Sequence, residues 1–212
     1  MTKKERVAGV LAALDEFYPH DDKCFLDYGE PYQLMIATIL SAQCTDARVN
    51  LVTEDLFAQY PSIEAFAEAK QADMEEAVRQ TGFFRMKAAH IIGAMQRLLA
   101  VYSGVMPSDI DELTQFPGVG RKTANVVRSH IFHLPSIVVD THVKRIAYKI
   151  GLTNETDPQK VEFDLMKHLP REHWIRFNTQ VIAHGRAVCV ARRPKCESCC
   201  LREFCMQREV MV

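Results

Sequence analysis

Apolar residues recur along most of this chain at spacings of three and four, the period of a helix with one face turned inward. Val7, Leu11, Leu14 and Tyr18 form the first such stripe. Leu34 to Leu40 is apolar on every side, which predicts a central, fully buried helix rather than an amphipathic one. Val49, Val52, Leu56 and Tyr60 mark a third helix, ended by Pro61. Asp73 with Glu76 predicts a capped start for the next, and Met86, Ala89, Ile92 and Leu99 mark a longer one. Ser108, with Asp111 at the capping-box position, predicts a short helix before Pro117. Arg121 to Ile131 reads as another helix, and Val143, Ile146, Ala147 and Ile150 recur at helical spacing after it. Asp157-Pro158 opens a helix through Val161 and Leu165 that ends at Pro170, and the last runs through Trp174, Phe177 and Val181 toward Cys189. The only strand-like run is Ile137–Val139. The expected fold class is all-α, without internal repeats or low-complexity stretches.

At 212 residues and 48% hydrophobic, the chain can bury a good core in one or two domains. No apolar run reaches the roughly 18 residues of a membrane span, and no secretory pattern opens the sequence. The seven cysteines are not spread as a disulfide framework, so a cytoplasmic setting is expected. A net charge of −1 hides a strong asymmetry. Residues 1–117 carry 10 Lys/Arg against 18 Asp/Glu, a net of −8, whereas residues 118–205 carry 15 against 8, a net of +7. A basic half of this kind suits contact with nucleic-acid phosphates.

Three stretches carry chemistry. Cys189, Cys196, Cys199 and Cys205 stand as C-x6-C-x2-C-x5-C, four thiols within 17 residues. Such a set holds a tetrahedral zinc or an iron–sulfur cluster, and the spacing leaves the metal open. Using Cys200 instead of Cys199 would shorten the last spacing to x4, so Cys199 is assigned. Arg192, Arg193 and Lys195 lie between the first two of these cysteines, in a loop suited to gripping phosphates. The second stretch is Leu113-Thr-Gln-Phe-Pro-Gly-Val-Gly-Arg-Lys-Thr-Ala124. Gly118 and Gly120 permit a tight hairpin, and backbone N–H groups there, followed by Arg121 at a helix start, form a phosphate seat. This is the logic of a helix-hairpin-helix DNA-binding element. The third stretch is Val138-Val-Asp-Thr-His-Val-Lys-Arg145, in which Asp140 occupies an N-cap position.

Together these stretches resemble the endonuclease III family of base-excision DNA glycosylases, within the helix-hairpin-helix glycosylase superfamily. Leu40-Ser-Ala-Gln-Cys-Thr-Asp46 is similar to a fourth family segment, so the resemblance reaches from Leu40 to Cys205. It implies two domains: residues 22–134 as a six-helix domain with the helix-hairpin-helix, and residues 1–21 with 135–212 as a cluster domain. It also implies that Lys122 is the catalytic lysine, Asp140 the catalytic aspartate, and the four cysteines ligands of a 4Fe–4S cluster. Gln43 matches the residue that fills the gap left by an extruded base. Phe83, in Thr81-Gly-Phe-Phe-Arg85, matches a wedge position that is usually leucine. His142 receives no catalytic role.

The nearest relative to exclude is the adenine-mismatch glycosylase. That family places a catalytic glutamate where Thr38 stands here, lacks the lysine of position 122, and usually carries a long extra C-terminal domain. The chain extends only seven residues beyond Cys205, so such a domain is not expected. The activity implied is bifunctional. A neutral Lys122 amine, its proton loss helped by desolvation or by Arg121, displaces the base, and the Schiff base then undergoes β-elimination. The implied substrate is double-stranded DNA with oxidised pyrimidines or abasic sites. A monomer associated with the nucleoid is expected.

Overall fold

The computed structural model describes residues 1–18 and 24–208. Among them are eleven α-helices: α1 Lys3–Phe17, α2 Pro31–Leu40, α3 Asp46–Gln59, α4 Ile63–Ala67, α5 Gln71–Ala77 and α6 Phe84–Tyr102 in the first half. The second half holds α7 Ile110–Leu113, α8 Arg121–Ile131, α9 Thr141–Ile150, α10 Pro158–His168 and α11 Trp174–Ala187. No strand occurs among the described residues. The chain divides into two compact units, one being Cys24–Phe132 and the other joining Met1–Lys23 to His133–Val212. The expected boundary between residues 21 and 22 lies outside the described residues.

In the unit Cys24–Phe132, α2 is the centre. Every residue from Leu34 to Leu40 is buried, and the helix packs against α3, α6 and α8. Its one hydroxyl in that stretch, Thr38, is satisfied by donating to the Leu34 carbonyl at 2.8 Å. Pro31 sits at the first turn, where its missing N–H costs nothing, and the Gln33 side chain accepts from the Gly29 and Glu30 amides. Helix α6 runs beside it with its inward face shifted from the one the periodicity suggests. Of the expected stripe Ile92 is buried and Leu99 half-buried, but Met86 and Ala89 are exposed. Lys87, Ala88, Ile91, Ala94, Met95 and Leu98 are buried beside Ile92.

Two expected caps are also corrected. Asp109, not Ser108, caps α7, accepting from the Asp111 and Glu112 amides at 2.9 and 3.1 Å. Its carboxylate, one residue nearer the helix, reaches both orphan donors. Helix α5 begins after Lys70 with no side-chain cap, and Asp73 instead sits within its first turn, where it complements the helix dipole.

In the other unit a single core joins the chain ends. Val7, Val10, Leu11 and Leu14 of α1 pack with Val143, Ile146, Ala147 and Ile150 of α9, with Val161 and Leu165 of α10, and with Phe177 and Val181 of α11. Polar contacts hold the same arrangement. Asp15 pairs with Arg176 at 3.2 Å and accepts from Gln180 at 3.0 Å, and Arg6 Nε donates to the Phe204 carbonyl at 2.9 Å. Gly9 lies against the Phe204 ring so closely that a Cβ would sit 2.2 Å from it, so this close approach requires glycine.

Candidate active site and metal centre

The segment Leu113–Ala124 folds as a hairpin between α7 and α8. Phe116 is buried and stacks on Tyr102 of α6 at 5.4 Å, and the Val119 amide closes the turn onto the Phe116 carbonyl at 3.0 Å. Gly118 has φ +74, and a Cβ there would meet the His90 ring at 2.7 Å, so both backbone angle and space exclude a side chain. Gly120 is the N-cap of α8, and no atom lies within 4 Å of where its Cβ would stand. Gly120 thus leaves open space beside the start of α8, the helix end whose amides suit a phosphate. Arg121 and Lys122 are the first two residues of the helix, Arg121 half-buried and Lys122 exposed. The next five residues, Thr123 to Val127, are all buried and anchor the helix.

Asp140 caps α9, its Oδ1 accepting from the Val143 amide at 2.7 Å. One carboxylate oxygen is thus engaged by the backbone, and the residue is half-buried. The extended run Ile137–Val139 leads into it without a partner strand. Asn178 of α11 replaces one: its Oδ1 accepts from the Val138 amide and its Nδ2 donates to the Ser136 carbonyl, both at 3.1 Å. Sequence reasoning does not single out Asn178. Its only signal is an amide side chain on the apolar stripe of the last helix, beside Phe177.

Gln43 and Phe83 share a backbone conformation that Ser103, His133 and Gln207, also exposed, adopt as well. Both are exposed and both adopt left-handed backbone angles, φ +52 and φ +49 respectively. Gln43 lies in the turn between α2 and α3; Phe83, 58% exposed, precedes α6 and follows Gly82 at φ +69. Non-glycine residues take this conformation at a cost, and such outliers cluster at functional sites.

The four spaced cysteines line one cavity of about 190 Å3, together with Lys149, Pro194 and Lys195. Cys200 does not line it. All seven cysteines are free of disulfides. The loop is pinned from several sides. Arg145 donates to the Cys189 carbonyl at 2.6 Å, Lys195 N to the Val188 carbonyl at 3.0 Å, and Met206 N to the Ile150 carbonyl at 3.3 Å. The cavity far exceeds the roughly 10–15 Å3 that admits one water. Among the described residues no three His, Cys, Asp or Glu side chains converge closely enough to hold a single metal ion. Four thiols on one cavity are the donor set that a metal centre needs.

Burial pushes the thiols of Cys189 and Cys199 up, so in the protein alone they favour the protonated form, and a bound cation reverses that preference. His184, fully buried, stands beside the site. Burial, reinforced by the Arg145 charge, pushes its imidazolium down to about 4, so the ring is neutral at pH 7. The Tyr18 hydroxyl, its pKa raised to about 12 mainly by burial, shares a hydrogen bond with Nδ1 at 2.7 Å, and Nε2 lies 3.6 Å from Cys199 Sγ. The ring thus links Tyr18 to a thiol that lines the cavity.

Arg192, Arg193 and Lys195 are all exposed, on the stretch between Cys189 and Cys196.

The pattern of the HhH-GPD superfamily base excision DNA repair proteins matches residues 36–171, well over half the chain. This defines the class. Endonuclease III of Synechocystis sp. is 48% identical over 205 residues, spanning 96% of this chain and 93% of its own. The Bacillus subtilis endonuclease III is 37% identical over 208 residues, spanning 98% and 94%. Among solved structures, a non-covalent endonuclease III–DNA complex and a trapped endonuclease III–DNA covalent intermediate each match with a TM-score of 0.92 at 39% identity. Both cover 98% of this chain and 97% of their own. A thermostable thymine-DNA glycosylase, 20% identical, shares the fold at a TM-score of 0.80. The chain belongs to the endonuclease III family of the HhH-GPD superfamily.

Proposed function

We propose that this chain is a bifunctional DNA glycosylase and abasic-site lyase of base-excision repair, acting on oxidised pyrimidines in double-stranded DNA. The observation that carries the reading is Lys122, a solvent-facing amine two residues past a glycine hairpin, in a chain 39% identical to an endonuclease III seen as a trapped covalent intermediate with DNA. Residues 22–134 form the DNA-reading domain, and residues 1–21 with 135–212 the cluster domain. The amides after Gly118 and Gly120, with Arg121, hold a phosphate. Gln43 and Phe83 fill the space left when the target nucleotide leaves the stack. The neutral amine of Lys122 attacks the anomeric carbon of deoxyribose and expels the base. Asp140 assists by accepting the proton or by stabilising the developing positive charge. The resulting Schiff base acidifies the neighbouring sugar hydrogen, and β-elimination breaks the strand on the 3′ side. A monofunctional mismatch glycosylase is disfavoured at Thr38, whose buried hydroxyl is committed to the Leu34 carbonyl and offers no carboxylate. Incubation with a duplex containing thymine glycol tests the proposal. Strand scission leaving a 3′ unsaturated aldehyde supports it; base release without scission contradicts it.

Cys189, Cys196, Cys199 and Cys205 hold a 4Fe–4S cluster, a reading supported by the cavity they share. Bound there, the cluster supplies a rigid centre that orders the basic loop. Protein purified without oxygen should contain about four irons per chain. Cys199→Ser should deplete iron far more than Cys200→Ser, since only Cys199 faces the cavity. Iron analysis with the reverse ranking, or one zinc and no iron, contradicts the assignment.

Arg192, Arg193 and Lys195 grip phosphates, so replacing all three with alanine should weaken binding to damaged and intact duplex by similar factors. The slope of log K against log salt should become shallower by roughly 0.9 for each phosphate that is no longer neutralised. An unchanged slope, in protein whose iron content is intact, would mean that this loop does not touch DNA.

A further inference from the structure

Lys87 is a lysine inside a hydrophobic core. It is 1% exposed, and its ammonium donates to the Leu40 carbonyl at 2.8 Å and to the Thr81 carbonyl at 2.7 Å. An ammonium buried without a carboxylate is costly, and the backbone dipoles at this spot offset the cost. Leu40 is the last residue of α2 and Thr81 the last of the 3-10 turn Arg79–Thr81. Both carbonyls sit at helix ends, where they lack partners along the chain and carry the negative end of the peptide dipoles. Burial disfavours the charged form and pushes the Lys87 pKa down.

The two acceptors are placed with respect to function. Three residues after Leu40 comes Gln43, and two after Thr81 comes Phe83. Both residues are exposed and hold left-handed backbone angles. The Lys87 amide also bonds the Phe83 carbonyl itself at 3.1 Å. One side chain thus ties together the roots of both loops. A second, exposed link, Arg48 Nη1 to Gln80 Oε1 at 2.9 Å, joins the same two segments further out.

We propose that Lys87 is a positioning residue that couples the Gln43 and Phe83 loops into one preorganised wedge for opening the duplex, an inference that rests on the gap-filling reading of those two residues. A wedge made of two loops must hold both tips in register before it meets DNA, or binding bears the cost of ordering them. The buried ammonium does this through the backbone, so it sets the spacing of the tips whatever side chains they carry.

The test uses a duplex with a tetrahydrofuran abasic analogue, which cannot form a Schiff base, and 2-aminopurine beside it to report unstacking. Lys87→Met keeps the apolar stem and removes both bonds. It should slow the fluorescence rise on binding by about tenfold, the loss expected when a charge-assisted bond no longer holds the geometry. Affinity for intact duplex should stay within about twofold, because phosphate contacts are untouched. In the Gln43→Ala/Phe83→Ala background, Lys87→Met should cause no further loss, since a coupling residue has nothing left to couple. An additive loss in that background, or an equal loss of affinity for intact duplex, overturns the inference and marks Lys87 as merely structural. If Gln43→Ala/Phe83→Ala alone leaves the fluorescence rise unchanged, the gap-filling reading fails and takes the inference with it. Should Lys87→Met not fold, Lys87→Gln, which keeps an amide donor without the charge, goes through the same cycle with the same criteria.

Discussion

Lys122→Gln abolishes both base release and strand scission while DNA binding stays measurable. Glutamine approximates the length of the lysine stem and keeps a polar tip, but its amide nitrogen has no nucleophilic lone pair. The position is the second residue of α8, exposed and outside the packed stretch Thr123–Val127, so the change should leave the fold intact. Loss of the attacking group removes the covalent route altogether. Single-turnover cleavage of a thymine-glycol duplex should fall by at least about 10⁴-fold, comparable to loss of a nucleophile elsewhere. Wild-type rates in this variant would end the assignment of Lys122.

Asp140→Asn has the second largest expected effect, and it separates two roles that the structure superimposes. The Asp140 carboxylate caps α9 through the Val143 amide, so a purely architectural explanation is available. Asparagine caps a helix about as well as aspartate, and thermal unfolding should shift by no more than about 0.5 kcal/mol. The charge and basicity, by contrast, are gone. Single-turnover rates should drop about 10²–10⁴-fold, the usual range for a lost acid–base group. Activity that fell only in step with stability would make Asp140 a cap and nothing more.

The helices that position the site are legible in the sequence where local chemistry and burial agree. Arg121 to Ile131 is bounded by Gly120 before it, and the all-apolar run Leu34 to Leu40 is a buried centre. Asp140 reads as a cap and is one. The failures have a common physical origin. Reading α6 by hydrophobic period places Met86 and Ala89 inward because Lys87 counts as polar, whereas its two carbonyl partners let it lie in the core. The clue is in the phase: Lys87 lies on the same helical face as Ile91, Ala94 and Leu98. Such partners come from residues 47 and 6 positions away, and no local pattern contains them. The same holds for Asn178, which serves the Ser136–Val138 segment from some forty residues further along the chain. The left-handed angles of Gln43 and Phe83 are also invisible, because sequence marks that conformation only when glycine occupies it. At the cysteines, spacing alone leaves zinc and iron–sulfur both open. The structure adds that the four spaced thiols share a cavity that Cys200 does not line.

The central claim is that Lys122 becomes covalently bonded to the sugar during catalysis. Borohydride trapping tests it most directly. With a thymine-glycol duplex, reduction during turnover should capture a stable one-to-one protein–DNA adduct in which the modified peptide contains Lys122, and Lys122→Gln should give none. Base removal without any trappable adduct would contradict the account, as would an adduct mapped to another residue or one that survives in Lys122→Gln.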